Sequence, residues 1–275
     1  MDCVLSRFPP VVYCQGRGSL VQYVLDKSNP LIGDVLPIMH DSLDVSIREL
    51  SGLHYLCDCG KEHRSDVDAI HMGAGVLTQG VEAIARLGNN ALLIADVHTW
   101  DCAGERVMTL LTGRIQASVY IYPDEALVPD ELALGRVLMA LTPETDLLIA
   151  VGSGTINDIT RYISARTGIP YAVVGTAPSM DGYASVVAPL IRDGVKITFP
   201  GVYPRVIVTD TDILKEAPQR MLAAGFGDVI GKVTALLEWR LSHILNDEYS
   251  CEHIMGLVQK AVDRCILSAP ALRKR

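Results

Sequence analysis

The sequence predicts an α/β fold, a parallel sheet covered by helices and followed by a helical region, and three observations carry that prediction. Short apolar runs alternate with segments of helical periodicity between residues 91 and 174, the pattern that right-handed crossovers between parallel strands produce. One of those runs, Leu147 to Val151, leads directly into Gly152-Ser153-Gly154-Thr155 and a helix of mixed polarity. From Thr211 onward the periodicity is helical only, with Val229, Val233, Leu236, Leu237, Leu241 and Ile244 at helix spacing.

Taken in order, Ala91 to Asp96 (ALLIAD) reads as a buried strand, Ala103 to Leu111 as a helix, Ser118 to Tyr122 as a strand and Leu132 to Leu141 as a helix. The strand Leu147 to Val151 then feeds a helix from Ile156 to about Thr167, which Gly168 ends, and Tyr171 to Val174 begins the next strand. Val186 to Phe199 is different: two β-rich runs flank Asp193-Gly194, a two-residue hairpin signal. Val206 to Thr209 is a last short strand, so an α/β domain over residues 51–210 is expected to meet a helical domain over 211–275 near Asp210. Residues 1–50 carry no assignment. Ala223 to Lys232, AAGFGDVIGK, is read as opening a long helix with Asp228 in its first turn.

At 275 residues and 49% hydrophobic the chain can bury a large core. Its net charge of −8 argues against nucleic acid or an acidic membrane surface as a partner. No apolar run approaches the ~20 residues needed to span a bilayer. The opening MDCVLSRFPPVVYC is interrupted by Arg7, Pro9 and Pro10 and makes a poor signal peptide. Seven cysteines without framework spacing suggest reduced thiols, so a soluble, cytoplasmic enzyme with no membrane anchor is expected.

A strand, a glycine turn and a helix N-terminus form a ready anion site, because unpaired N–H groups and the positive end of the helix dipole converge there. The turn is not the G-x-G-x-x-G fingerprint, since Asn157 stands where the third glycine belongs, and taken alone it fits a tight turn without ligand equally well. The next strand, however, ends in Gly175-Thr176-Ala177-Pro178-Ser179-Met180-Asp181-Gly182, a loop dense in hydroxyls. Loops leaving the carboxyl ends of adjacent parallel strands face one crevice, so both can touch one ligand.

The segments GSGTINDI, TAPSMDGYAS and AAGFGDVIGK, with CDCGKEH and IADVHTWDCAG upstream, resemble the glycerol-1-phosphate dehydrogenases of the metal-dependent alcohol dehydrogenase and dehydroquinate synthase superfamily. The resemblance runs from about His54 to the last residue. It implies a Rossmann-like domain followed by the beginning of an all-helical metal- and substrate-binding domain. The implied reaction is reduction of dihydroxyacetone phosphate to sn-glycerol 1-phosphate by NADH or NADPH, with Zn²⁺ or another divalent metal polarising the ketone. By the same resemblance Gly154, Thr155, Ile156, Asn157 and Asp158 would cradle the cofactor pyrophosphate, and Gly152 and Ser153 before them would also bind the cofactor. Thr176, Ala177, Pro178 and Ser179, with Ser185, would hold the rest of the dinucleotide. Asp181 would contact substrate, and Asp228 would ligate the catalytic metal beside it. Asp96, at the end of the first strand of the sheet, would accept hydrogen bonds from the ribose 2′-hydroxyl and repel a 2′-phosphate, favouring NAD over NADP.

Five of these residues also have a plainer reading. Asp158 suits a first helical turn, Asp181-Gly182 a turn, Ser185 a strand edge, Asp96 a solvated strand end, and Asp228 an i,i+4 pair with Lys232. The family completes its metal site with two histidines far downstream, and this chain stops at Arg275 before either. His243 lies 15 residues after Asp228 on the same helix, about 22 Å away at the α-helical rise; His253 follows the next turn, and His98 is the cleft candidate. A catalytic zinc takes three protein ligands, of which one is identified, so little or no turnover is expected from this chain. Two other readings remain, a non-redox lyase like dehydroquinate synthase and an inactive nucleotide-binding remnant. The expected partners are a small phosphorylated substrate and, in a homo-oligomer, further copies of the chain. Apart from this, Cys57, Cys59 and His63, with His54 nearby, offer a second metal candidate, but the C-x-C spacing is tighter than the common zinc knuckle and the second half of a ribbon is missing, so buried thiols are the favoured reading.

Overall fold

The computed structural model describes residues 51–272, with side chains to residue 270, and before them the backbone of four short strands. Those strands, β1 (Cys3–Leu5), β2 (Val11–Gly16), β3 (Ser19–Val24) and β4 (Pro37–Ile38), pair in chain order as an antiparallel sheet. A small hairpin follows, β5 (His54–Leu56) with β6 (Glu62–Arg64). Two compact units result: residues 66–231 form one, and residues 1–65 with 232–275 form the other.

The unit spanning 66–231 is the α/β domain. Its chain runs β7 (Ala69–Gly73), α1 (Leu77–Ile84), β8 (Asn90–Asp96), α2 (Val97–Thr99), a π-helical turn at Trp100–Gly104, α3 (Glu105–Leu111), β9 (Gln116–Tyr122) and α4 (Glu131–Ala140). It continues as β10 (Leu147–Gly152), α5 (Gly154–Thr167), β11 (Tyr171–Gly175), the hairpin β12 (Val187–Arg192) and β13 (Val195–Pro200), β14 (Val206–Asp210) and α6 (Thr211–Leu214). Six strands make one parallel sheet in the order β7-β14-β11-β10-β8-β9. The winding reverses between β8 and β10: from β8 the chain steps out to β9, whereas β10, β11 and β14 step the other way. The crevice at such a switch point, beyond the carboxyl ends of the strands, is where open α/β sheets bind ligands.

Both faces of the sheet are covered, which is why β8, β10 and β11 read as continuous apolar runs and not as alternating ones. Along β10, Leu147, Ile149 and Val151 pack with Leu93, Ala172 and Val174 against Val81, Ile84, Val107 and Leu111 of α1 and α3. The alternate residues Leu148 and Ala150 pack with Leu92, Ile94 and Val173 against Val137, Ile156, Ile159 and Ile163 of α4 and α5. The turn chemistry follows the sequence closely. Gly168 ends α5 in the left-handed conformation at φ 75°, and Asp193 and Gly194, with φ of 52° and 77°, turn the β12–β13 hairpin.

Three features depart from the sequence reading or were absent from it. The edge strand β7 and the helix α1 carry no strong apolar run; they are tied in by the buried carboxylate of Asp210, which accepts from the amides of Gly75 and Leu77 at 3.0 Å each. The compact unit also passes the expected boundary near Asp210, continuing through α6 to Gly231. Finally, the long helix α7 (Gln219–Asn246) starts earlier than expected. The Pro218 carbonyl accepts from the Met221 amide at 2.8 Å and opens the helix there. Asp228 therefore lies in the third turn and not the first, and Gly225 and Gly227 are helix interior.

The last helix is α8 (Glu252–Leu272). On α7 the apolar residues Leu237, Leu241, Ile244 and Leu245 are all more than half exposed. Among the described residues no helix is long and apolar enough to cross a membrane. The central strand sets the stability of the α/β unit. Ile149 is fully buried, so Ile149→Ala is expected to lower unfolding free energy by about 3 kcal/mol, read as a lower urea midpoint at unchanged m-value.

Candidate functional site

The switch point carries the glycine turn. β10 ends at Gly152, where a Cβ would lie 2.6 Å from the Ile156 Cβ, so only glycine lets the strand fold this tightly onto the first turn of α5. Ser153 caps the helix, its Oγ accepting from the Gly154 amide at 2.7 Å, while its carbonyl accepts from the Asn157 amide at 3.0 Å. The amides of Thr155 and Ile156 belong to the first turn, which has no intrahelical acceptors for them. With the dipole of a 14-residue helix behind them, these donors make a cradle for an anion. Asn157 is fully buried beneath the turn, with neither end of its amide partnered. On the other side of the switch point, Asp96 ends β8; its carboxylate accepts from the Thr99 amide at 2.8 Å, and its own amide donates to Thr99 Oγ1 at 2.9 Å.

The second loop is fastened to the first. The Ser153 and Ser179 hydroxyls lie 2.6 Å apart, and the Thr176 amide donates to the Gly152 carbonyl at 3.2 Å. Tyr183 packs against Gly175 and donates its hydroxyl to the Ala177 carbonyl at 2.7 Å; burial raises its pKa further above the usual tyrosine value. Ser185 turns its hydroxyl to its own segment, donating to the Val187 carbonyl and accepting from the Val187 amide.

Arg161, which the sequence reading did not single out, holds this arrangement from inside α5. It is 1% exposed. Its Nη2 donates to the carbonyls of Gly182 and Tyr183 at 2.7 and 3.1 Å, its Nη1 to Asp158 and the Val187 carbonyl at 2.6 and 3.1 Å, and its Nε to the Tyr171 hydroxyl at 3.1 Å. The Asp158 carboxylate thus faces Arg161. Burial pushes that carboxyl up to about 6 against the opposing pull of the guanidinium. The signal available in the sequence was Asp158 and Arg161 at i,i+3 on α5, on the side of the helix away from Ile156, Ile159 and Ile163.

Asp181 and Asp228 come together. The Asp181 amide donates to Asp228 Oδ2 at 2.8 Å, which joins the hydroxyl-rich loop to α7. Gly225, one turn earlier on α7, allows this approach: a Cβ there would sit 1.8 Å from the Pro178 carbonyl oxygen. Gly225 of AAGFGD is a contact point, a role its place at the start of a helix did not suggest, whereas a Cβ at Gly227 would meet nothing within 4 Å.

Of the histidines weighed as substitute ligands, His98 lies in the unit that holds Asp228, and it does not join it. His98 is exposed on α2, and the His243 Nδ1 lies 2.6 Å from the Glu248 carbonyl. No group of three or more ligating side chains that includes Asp228 converges among the described residues. A catalytic zinc takes three protein ligands, so the described residues do not fit a complete catalytic metal site. The cofactor test comes out differently, because the cradle at Gly152–Ile156, the hydroxyls above it and the switch point fit a dinucleotide.

Comparison with known proteins agrees with this architecture. The profile of the family described as iron-containing alcohol dehydrogenase matches residues 71–218. The chain belongs to the iron-containing alcohol dehydrogenase family. Among curated relatives of this family member, the glycerol-1-phosphate dehydrogenase [NAD(P)+] of Halalkalibacterium halodurans is 40% identical over 216 residues, covering 76% of this chain and 54% of the relative. The protein of that description from Methanosarcina mazei is 34% identical over 204 residues, covering 74% and 57%. The chain thus spans just over half the length of these relatives. A crystal structure of a probable glycerol dehydrogenase from Sinorhizobium meliloti superposes with a TM-score of 0.62 at 23% identity, over 73% of this chain and 56% of the other, and establishes the shared fold.

The Gly225 contact yields a direct test. Gly225→Ala forces α7 away from a backbone carbonyl and is expected to cost about 2 kcal/mol. Hydrogen exchange at the Asp181 amide, which loses Asp228 as its acceptor, should accelerate while the amides of β10 stay protected.

Proposed function

We propose that this chain carries the cofactor-binding part of an NAD(P)-dependent sn-glycerol-1-phosphate dehydrogenase, which reduces dihydroxyacetone phosphate on the way to glycerophospholipids. The observation that carries the reading is the meeting of the cradle at Gly152–Ile156, the Thr176–Ser179 loop and Asp228 beside Asp181, in a chain 40% identical to a glycerol-1-phosphate dehydrogenase. The first-turn amides of α5 bind the pyrophosphate, where the helix dipole favours negative charge. Ser153, Thr176 and Ser179 line the path toward the nicotinamide end, and Asp96 accepts from the ribose 2′-hydroxyl, which favours NAD over NADP. When bound, the nicotinamide supplies the hydride. Asp181 contacts the substrate, and Asp228, whose Oδ2 fixes the Asp181 amide, is the carboxylate offered to a divalent metal. A cytoplasmic setting belongs to the same reading, supported by the free thiols of Cys57, Cys59, Cys102, Cys251 and Cys265. So does self-association, supported by the exposed apolar residues of α7.

The test is NADH binding followed by fluorescence, beside NADH oxidation with dihydroxyacetone phosphate and added Zn²⁺. We expect binding, competition by ADP-ribose, and little or no oxidation, because Asp228 has no converging ligands among the described residues. Absence of NADH binding would overturn the cofactor reading. Rapid oxidation would instead overturn the assignment of Asp228 as an incomplete ligand set, and a product other than sn-glycerol 1-phosphate would overturn the substrate.

A further inference from the structure

The unit formed by residues 1–65 and 232–275 contains a side-chain cluster that the nucleotide site does not use. The β5–β6 hairpin presents Cys57, Cys59 and His63, and Cys251, the residue just before α8, meets them from 188 positions beyond His63. One ligand atom from each of the four lies within 4.8 Å of every other. His54, the fourth ligand the sequence suggested, is instead paired with Glu62. Cys251 takes that place and is 1% exposed.

The distances decide between three readings of the cluster. A disulfide requires sulfurs about 2.05 Å apart, and Cys57 Sγ and Cys251 Sγ are 3.7 Å apart. Tetrahedral zinc with Zn–S near 2.3 Å and Zn–N near 2.05 Å sets S···S edges of about 3.8 Å and S···N edges of about 3.5 Å. Beside the 3.7 Å sulfur pair, the His63 Nε2 is 3.4 Å from both Cys59 Sγ and Cys251 Sγ. Three of the six edges of the cluster therefore fall within about 0.2 Å of a zinc tetrahedron. Buried thiols without a metal have no reason to bring an imidazole and three sulfurs around one point, because each is a weak donor and a weak acceptor.

The surroundings suit thiolates. Gly60, at φ 80°, closes the turn between the two arms of the hairpin, with its amide on the Cys57 carbonyl at 2.9 Å and the Cys57 amide on the Lys61 carbonyl at 3.0 Å. The Tyr249 hydroxyl lies 3.1 Å from Cys59 Sγ, and the Lys61 ammonium sits 3.5 Å from the Tyr249 ring centroid. A donor and a cation thus offset the charge of three thiolates around a divalent ion, the outer-shell arrangement that tunes such sites.

We propose that Cys57, Cys59, His63 and Cys251 form a closed, structural Zn²⁺ site that fastens the β5–β6 hairpin to the start of α8. All four positions are filled by protein, so the site has no opening for substrate and is distinct in chemistry from the Asp228 carboxylate. Its effect is to close a loop of nearly two hundred residues, which a hairpin of two three-residue strands could not do alone.

The test uses the full 275-residue chain, purified under reducing conditions after growth with zinc. Metal analysis is expected to give about one Zn²⁺ per chain that survives dialysis and is released by a thiol-blocking mercurial. Replacement by Co²⁺ is expected to give thiolate-to-cobalt charge-transfer bands and the visible spectrum of a tetrahedral site. Asp228→Asn should keep those bands, and Cys251→Ser should lose them. The wild-type spectrum reads the ligand set even if Cys251→Ser fails to fold. No retained metal, retained metal without thiolate bands, bands that persist in Cys251→Ser, or a Cys57–Cys251 disulfide in the freshly reduced and purified chain would each overturn the proposal.

Discussion

The guanidinium of Arg161 is the constraint on which the proposed nucleotide site depends. An arginine carries five N–H donors in a fixed plane, and this one places all five: on Asp158, on the Tyr171 hydroxyl, and on the carbonyls of Gly182, Tyr183 and Val187. Three of those acceptors are backbone groups of an irregular segment that no strand or helix would otherwise satisfy. Losing one partner of such a buried pair typically costs 3–5 kcal/mol (an order-of-magnitude figure), because the groups left behind stay buried without water. Its aliphatic stem has room only because Gly201 has no side chain, since a Cβ there would lie 2.7 Å from Cγ and Cδ of Arg161. At neutral pH Asp158 is ionised even with its carboxyl pushed up to about 6, so the ion pair is intact.

From that point the site is assembled outward. With the 182–187 segment held on α5, Tyr183 can seat against Gly175 and fasten the Ala177 carbonyl, which leaves Ser179 against Ser153 and Pro178 against Gly225. The proposed phosphate cradle and the Asp181–Asp228 contact are therefore two ends of one supported loop. The sheet order supplies the rest, because reversal of winding between β8 and β10 opens the crevice that the loop overhangs. Rigid strands set the position of the cradle, and a buried cation sets the loop above it.

Much of this was legible in the sequence where local chemistry is decisive. The apolar runs that became β8, β10 and β11, the Gly168 stop of α5 and the Asp193-Gly194 hairpin each depend on neighbouring residues alone. The association of the Ser153 and Ser179 loops followed from adjacency of strand ends in a parallel sheet. What escaped depends on partners distant in sequence. Arg161 looks like a solvated helix residue until the carbonyls of 182–187 surround it. The start of α7 was misplaced because Gly225 and Gly227 look like helix-opening residues, whereas Gly225 is needed by a carbonyl 47 positions earlier. Cys251 stands alone in its neighbourhood, and no spacing rule links it to Cys57 and Cys59. The edge strand β7, with His71 in its middle, lacks the apolar run that marks the central strands.

The measurement that bears most directly on this account is residue-resolved hydrogen exchange on Arg161→Met, with NADH affinity measured in the same samples. The account predicts faster exchange confined to the 176–187 segment, retained protection in β8, β10 and β11, and a fall in NADH affinity of about tenfold or more, a change of about 1.4 kcal/mol. Unchanged exchange in that segment, or full NADH affinity with the segment released, would contradict the claim that Arg161 holds the site together.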